Sequence, residues 1–296
     1  MKLSQNNLYY LSQCAISAAL QAGDVIRHHT NKHFSYRLKQ GADSLAAKIV
    51  TEVDFLAQEK ILKSLSQSCQ VYDLGILTEE SVDDGSRLDK DFFWCIDPLD
   101  GTLYYSESEP GYSISIALVS KSGESMLGVI YDPYEEKLYT AIKGQNSLIN
   151  QIPINRMSTE DKDVVTILCD RHFLQHKVYN EFIDELSHLL AKEGCHSTKI
   201  LSNGGAVKNA MGVLEHSPAC YFKLPKEQLG GGCLWDYAAS SCFFYEGDAV
   251  VTDITGNKLD LNPPGSIYMN HCGIVFASNQ KIANSIYQLY QYRFNN

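Results

Sequence analysis

The chain has 296 residues, with 25 Lys or Arg against 35 Asp or Glu, and its formal net charge is −10. This balance argues against a partner that is a nucleic acid polymer, because sequence-independent binding to phosphate needs excess basic residues. It also argues against an anionic membrane surface. Apolar residues make up 44% and charged residues 20% of the chain, which excludes a disordered protein and favours a folded globular one.

The cysteines and the start of the chain bear on its compartment. Nine cysteines are scattered singly without a C-x-x-C pair, and this odd number predicts free thiols in place of disulfides or a structural zinc site. No run reaches the roughly 18 apolar residues of a membrane span, and the first residues lack the apolar segment of a signal peptide. We therefore expect a cytoplasmic protein.

Apolar periodicity predicts the elements of the first half. Helical spacing indicates a helix over about 5–29 and a second over about 54–66. Alternating apolar residues between turn signals then predict a series of mostly antiparallel strands, over 71–77, 92–96, 112–119, 126–131 and 138–142.

After about residue 155, short strands and helices alternate. The predicted strands cover 164–168, 249–251 and 273–277. The predicted helices cover 178–190, which contains Val178 and Leu190, then 205–214, 236–245 and a closing helix over 280–290. We expect two packed lobes with a cleft between them: an α+β lobe over 1–150 and an α/β lobe over 151–296.

The strongest chemical feature is FFWCIDPLDGT, residues 92–102, in which an apolar strand ends in Asp97 and Asp100. Two carboxylates this close repel each other unless a cation lies between them, and hard oxygen ligands favour Mg²⁺ or Ca²⁺. Gly101 permits a backbone conformation that a side chain would block, and amides at Gly101 and Thr102 would suit an anion. A calcium-like turn or a plain surface turn is the alternative interpretation.

Three weaker acidic features accompany this motif. Glu79 follows an apolar strand, Asp54 begins the second helix, and Asp236 opens a helix within GGGCLWDYAA, residues 230–239. Taken singly, they are typical of a solvated turn, a charge that complements a helix dipole and an N-cap.

In chain order, T-x-x-D, E-E-S, D-P-L-D-G-T and W-D-x-A-A resemble the inositol monophosphatase superfamily of Mg²⁺-dependent, lithium-sensitive phosphatases. That superfamily includes 3′(2′),5′-bisphosphate nucleotidases and fructose-1,6-bisphosphatases, and the resemblance covers nearly the whole chain. It implies a layered α-β-α-β-α sandwich, of mixed α+β and α/β character, built from the two lobes.

The resemblance also implies two to three Mg²⁺ ions. Glu79, Asp97 and the Leu99 carbonyl would bind the first ion. Asp97, Asp100 and Asp236 would bind the second, with Asp236 contributed by the C-terminal lobe.

The remaining implied roles concern water and phosphate. Asp54 and Thr102 resemble the catalytic pair that orients and deprotonates the attacking water, and the amides of Gly101 and Thr102 would hold phosphate oxygens. Lys208, in NGGAVKN at 203–209, resembles a lysine of the nucleotidase branch that could contact substrate; a solvated lysine is the alternative.

The sequence leaves other residues undecided. Lys39 and Asp43 precede T-x-x-D, where the resemblance gives them no definite role. Lys223 and Lys226 flank a Leu-Pro pair, and surface positions are favoured for both.

The sequence therefore predicts a Mg²⁺-dependent phosphomonoesterase that acts on a small phosphate ester such as inositol monophosphate. One alternative is a nucleotidase acting on 3′-phosphoadenosine 5′-phosphate. Another, of a different class, is a non-catalytic, metal-stabilised regulatory protein. A homodimer is an expectation at the level of the family.

Overall fold

The computed structural model describes residues 2–30, 36–38, 49–154, 163–195, 197–230 and 232–294. It begins with helix α1 (Gln5–His29), whose capping Ser4 accepts a hydrogen bond from the Asn7 amide. Two short antiparallel strands follow, β1 (Tyr36–Leu38) and β2 (Ile49–Thr51), and lead into helix α2 (Glu52–Tyr72).

A seven-stranded sheet occupies the first half of the chain. Its strands lie in sequence order, and only the first pair, β3 with β4, is parallel. The strands are β3 (Gly75–Thr78), β4 (Phe92–Asp100), β5 (Ser113–Ser120), β6 (Ser125–Asp132), β7 (Lys137–Ile142), β8 (Leu148–Ile149) and β9 (Ile152–Pro153). Short helices α3 (Ser86–Asp89) and α4 (Thr102–Ser106) precede and follow β4.

A five-stranded sheet with the order β11-β10-β12-β14-β13 forms the second half. Its strands are β10 (Val164–Leu168), β11 (Ser197–Leu201), β12 (Ala219–Lys223), β13 (Val250–Thr252) and β14 (Ile274–Ala277). The helices of this half are α5 (Lys177–Lys192), α6 (Ala206–Glu215), α7 (Leu234–Tyr245) and α8 (Gln280–Phe294).

Strand periodicity arranges these elements in five layers. In β4, Phe93 and Cys95 face a core shared with α6 and α7, whereas Trp94 and Ile96 face a core shared with α1 and α2. On the five-stranded sheet, Tyr221 joins the middle core, and its neighbours in β12 join a third core with α5 and α8. The layers run α1/α2, seven-stranded sheet, α6/α7, five-stranded sheet, α5/α8, so the predicted α-β-α-β-α architecture is confirmed.

Helix α7 lies against the seven-stranded sheet at a glycine. A Cβ on Gly128 of β6 would come within 2.3 Å of the Ala239 carbonyl oxygen, so helix and strand approach closely at this position. Because α7 begins with Leu234 and Asp236 lies in its first turn, this contact helps to fix the position of Asp236.

One predicted strand is placed differently. The segment 71–77 was expected to be extended, but α2 continues to Tyr72 and the strand covers only Gly75–Thr78. Val71, 64% exposed, lies on the outer side of the helix, so its apolar character does not mark a buried strand. Across the described ranges, no helix has both the length and the apolar character that crossing a membrane would require.

Candidate active site

The parallel strands β3 and β4 bring acidic residues to one edge of the seven-stranded sheet. Glu79 directly follows β3, and its backbone N–H donates to the Ile96 carbonyl at 3.2 Å. The pairing of β4 with β5 shifts register between Asp97 and Asp100. This irregularity ends the regular ladder where the two acids lie, so their side chains do not follow a simple strand alternation.

Three carboxylates converge at this edge. Oxygens of Asp97, Asp100 and Asp236 lie within 4.8 Å of one another. Asp97 and Asp100 come from the end of β4, and Asp236 comes from the first turn of α7, where its carboxylate accepts a hydrogen bond from the Cys233 amide. The structure thus brings together the three acids that the resemblance assigns to a second metal ion.

Burial and mutual repulsion act on this cluster. Desolvation, reinforced by Glu79, Asp100 and Asp236, raises the pKa of Asp97 well above its usual range, and desolvation with Asp236 does the same for Asp100. Desolvation raises the pKa of Asp236 to about 6, while the Lys223 ammonium opposes that shift. Asp97 and Asp100 are buried and Asp236 is partly buried. Oxygen ligands that repel one another in such a site fit a divalent cation, which would offset their charge, so the residues present fit a Mg²⁺ site.

The C-terminal half holds Asp100 in place. One carboxylate oxygen of Asp100 accepts from the Ala206 amide at 3.0 Å, and the other accepts from the Val207 amide at 2.9 Å. A Cβ on Gly205 would lie 2.4 Å from that carboxylate. The start of α6 therefore orients an acid that belongs to the opposite sheet.

Thr102 joins this cluster to α2. Its hydroxyl lies 3.1 Å from a carboxylate oxygen of Asp54, which is 1% exposed, and 3.0 Å from the Leu99 carbonyl oxygen. The Leu99 carbonyl has a second lone pair, so this contact leaves it able to bind a metal. Gly101 has φ +82°, and a Cβ there would come within 2.7 Å of the Gly111 carbonyl oxygen, which explains why a glycine occupies the position.

Lys208 is neither solvated nor unpaired. Its side chain is 14% exposed, and its Nζ lies 2.5 Å from Asp132 and 3.5 Å from Glu135. The alternative of a solvated lysine is therefore wrong, and the predicted substrate contact would have to compete with this ion pair. Lys39 and Asp43 lie outside the described residues.

The structure adds a buried lysine that the sequence favoured as a surface residue. The Lys223 side chain is 9% exposed, and its Nζ lies 2.9 Å from a carboxylate oxygen of Asp170. The other oxygen of Asp170 accepts hydrogen bonds from the Tyr221 hydroxyl and from the side-chain Nδ2 of Asn209. The sequence pattern of β12 could have indicated this burial. Lys223 follows the fully buried Tyr221 by two positions, so both side chains lie on the same face of the strand.

A second cross-chain contact lies beside α4. Arg171 pairs with Glu107 and Glu109 at 2.5 Å each, and its guanidinium carbon lies 4.3 Å from the centroid of the Tyr104 ring. Arg171 therefore offsets one of the two negative charges that Glu107 and Glu109 bring to this region. All nine cysteines are free thiols, as predicted, and Cys95 and Cys242 are fully buried.

Comparison with known proteins agrees with this arrangement. The model of the inositol monophosphatase family matches residues 7–291. The chain belongs to the inositol monophosphatase family. This phosphatase family is the one that the sequence motifs predicted.

The similar proteins include some that are named as phosphatases and others that are named as Nus factors. Human inositol monophosphatase 2 is 27% identical over 285 residues, 94% of this chain and 90% of that protein. A protein of Xylella fastidiosa named Nus factor SuhB is 29% identical over 280 residues, 93% of this chain and 92% of that protein. A solved inositol monophosphatase/NADP phosphatase, complexed with Mg²⁺ and phosphate, has a TM-score of 0.73 at 18% identity and covers 97% of both chains.

Proposed function

We propose that this family member is a Mg²⁺-dependent phosphomonoesterase that hydrolyses a small phosphorylated metabolite such as inositol monophosphate. The convergence of Asp97, Asp100 and Asp236 within 4.8 Å carries the proposal. A phosphate monoester is an anion, and an acid-lined site would repel it unless divalent cations reversed the local charge. Two to three Mg²⁺ ions at Glu79, the Leu99 carbonyl and these three acids would supply Lewis acidity and a more acidic water.

The residues around the cluster would accept the proton of the attacking water and bind the phosphate oxygens. Asp54 accepts the hydroxyl hydrogen of Thr102, which leaves a lone pair on Thr102 Oγ1 to accept a hydrogen from the attacking water. The proton then passes through Thr102 to Asp54. Gly101 and Thr102 stand at the start of α4, where backbone amides have no acceptor within the helix, and they would hold phosphate oxygens.

The relatives support both a catalytic and a non-catalytic alternative. The name of the human relative and the Mg²⁺ and phosphate of the solved neighbour favour hydrolysis. The name Nus factor SuhB refers to a different activity, which favours a regulatory role for some members of the family. The complete set of acids in this chain, together with Thr102, supports catalysis.

A phosphate-release assay with Mg²⁺ or with EDTA tests the proposal, using inositol 1-phosphate and a generic aryl phosphate. We expect Mg²⁺-dependent release that falls at least 10³-fold in Asp97→Asn and in Asp236→Asn. Asp248→Asn, at an exposed turn, is the matched control. No release from either ester would favour the regulatory alternative, and full activity in both variants would contradict the site assignment.

Lithium gives a separate test of family chemistry. We expect Li⁺ in the millimolar range to inhibit turnover, in keeping with the lithium sensitivity that the resemblance implies. Insensitivity to Li⁺ would contradict this expectation without touching the Mg²⁺ requirement.

A further inference from the structure

The first turn of α6 contacts three carboxylates that come from three different parts of the chain. The amides of its first two residues donate to Asp100, at the end of β4. The ammonium of the third residue, Lys208, lies 2.5 Å from Asp132, at the end of β6. The fourth residue, Asn209, donates from Nδ2 to Asp170, which follows β10, at 3.1 Å. This one turn is therefore held by both sheets.

The contact between Lys208 and Asp132 is part of the packed interior. Asp132 is fully buried, and its second carboxylate oxygen accepts hydrogen bonds from the amides of Tyr134 and Glu135 at 2.8 and 2.9 Å. A Cβ on Gly204 would lie 2.7 Å from the Cβ of Lys208, so a glycine lets the chain pass close to this lysine. The turn after β6 thus fixes the carboxylate, and the ion pair attaches α6 to that turn.

Helix α6 has a second attachment at its other end. Glu215, its last residue, accepts a hydrogen bond from the Tyr139 hydroxyl at 2.5 Å and lies 3.2 Å from the ammonium of Lys137. Both partners belong to β7. Helical geometry separates Lys208 from Glu215 by about 10 Å. Only the attachment at Lys208 lies next to the amides that hold Asp100.

The ion pair also bears on whether Lys208 can bind a phosphate. Its ammonium already has Asp132 and, at 3.5 Å, Glu135 as partners. Moving it onto a substrate would leave the buried carboxylate of Asp132 without a countercharge, which is costly. The contact therefore favours a fixed lysine over one that follows the ligand.

We propose that the ion pair between Lys208 and Asp132 positions the first turn of α6 and, through its amides, orients Asp100 for metal binding. Lys208 is then a positioning residue and not a substrate contact. The inference rests on the proposed function, in which Asp100 binds Mg²⁺. The position of Lys208 directly after the two amides carries it, together with the burial of Asp132.

Calorimetry with Mg²⁺ alone tests the proposal without turnover. Asp132→Asn keeps an oxygen for the two amides of the turn and leaves no buried carboxylate unpaired. We expect it to weaken Mg²⁺ binding at least tenfold, the usual effect of losing a residue that orients a metal ligand. Lys208→Met should do the same, and the double variant should be little weaker than either, because both changes remove one contact. Lys208→Arg keeps the charge and should restore most of the affinity.

Glu215→Gln is the matched control, because it weakens the far attachment of the same helix and still accepts from the Tyr139 hydroxyl. It should leave the Mg²⁺ affinity unchanged. An equal loss of affinity in this control would show that any loosening of α6 has the same effect, and it would overturn the specific role of Lys208. Wild-type Mg²⁺ affinity in both Asp132→Asn and Lys208→Met would overturn it as well.

Steady-state kinetics separates a positioning residue from a substrate contact. We expect Asp132→Asn and Lys208→Met to lower kcat at least tenfold with inositol 1-phosphate and with 3′-phosphoadenosine 5′-phosphate, and to leave KM nearly unchanged. A rise in KM for the bisphosphate in Lys208→Met, with wild-type behaviour in Asp132→Asn, would instead make Lys208 a substrate contact and overturn the proposal. Weakened Mg²⁺ binding in both variants, with no hydrolysis of either ester by the wild type, would contradict the proposed function and support the positioning role.

Discussion

The Thr102 hydroxyl lies 3.1 Å from the Asp54 carboxylate, and the two residues are 48 positions apart in the sequence. Asp54 is buried at the start of α2, and Thr102 begins α4 directly after the acid-rich end of β4. The contact places a proton acceptor within one hydrogen bond of the metal-binding edge, which is the geometry that a general base requires.

Removing this acceptor should slow turnover. We expect Asp54→Asn and Thr102→Val each to lower kcat by about 10²- to 10⁴-fold, the usual contribution of a positioned acid or base. Since the two side chains act as a unit, the double variant should be little slower than either single one. Steady-state kinetics at saturating Mg²⁺ measures this.

Thr102→Ser is the matched control, because serine keeps the hydroxyl, and it should retain most of the activity. Multiplicative losses in the double variant would show that Asp54 and Thr102 act independently.

Mg²⁺ should stabilise the fold measurably, because it offsets repulsion among Asp97, Asp100 and Asp236. At a Mg²⁺ concentration about 100 times its dissociation constant, the gain should be about 2.7 kcal/mol. Asp97→Asn removes one repelling charge, and its amide oxygen can still accept from the Leu99 amide. We therefore expect a higher Tm than wild type in EDTA and a smaller rise with Mg²⁺.

Thermal melts with and without Mg²⁺ provide the measurement, with Asp248→Asn as an exposed control. A wild-type Tm that is the same in EDTA and in Mg²⁺ would argue against a metal site at these carboxylates.

Local pattern predicts the buried elements well. The helix over about 5–29 and the strand over 164–168 match the observed Gln5–His29 and Val164–Leu168, because the helix buries one face in a core and the strand is buried on both faces. Strand β11 was not predicted. Its residues, Ser197–Leu201, are mostly exposed at the edge of the sheet, so no alternation of apolar residues marks it.

The residues of the site also fall into those that the local sequence identifies and those that it does not. Asp97 and Asp100 could be identified locally, because a strand end, a proline and a glycine surround them. The pairing of Lys223 with Asp170 could not, since it joins the ends of two strands, β10 and β12, that pair only in the folded sheet. A lysine after a Tyr-Phe pair gives no local sign of its partner, and only the strand alternation hints at its burial.

That pairing leads to a prediction about stability. Lys223→Met should leave the Asp170 charge uncompensated and lower the free energy of unfolding by about 3 kcal/mol. Adding Asp170→Asn removes this uncompensated charge, and the carbonyl oxygen of the new Asn side chain can still accept a hydrogen bond from Tyr221. The paired variant should therefore recover more than half of the lost free energy of unfolding. Denaturant unfolding of the single and paired variants measures the coupling. Additive losses would contradict it.

The close approach of β6 and α7 links the fold to the metal site. In Gly128→Ala, the new methyl would meet the Ala239 carbonyl oxygen at 2.3 Å, so the helix must shift. We expect a loss of about 1–3 kcal/mol in stability. The Mg²⁺ affinity should also weaken, because Asp236 moves with the first turn of α7.

Gly265→Ala is the matched control, since a Cβ there meets no atom within 4 Å, and it should change stability by less than about 0.5 kcal/mol. Denaturant unfolding and Mg²⁺ titration by calorimetry give the two readouts. If Gly128→Ala loses stability but keeps the wild-type Mg²⁺ affinity, then α7 does not carry the shift to Asp236. In that case the Cys233 amide would hold Asp236, and the amides of α6 would hold Asp100, independently of the contact at Ala239.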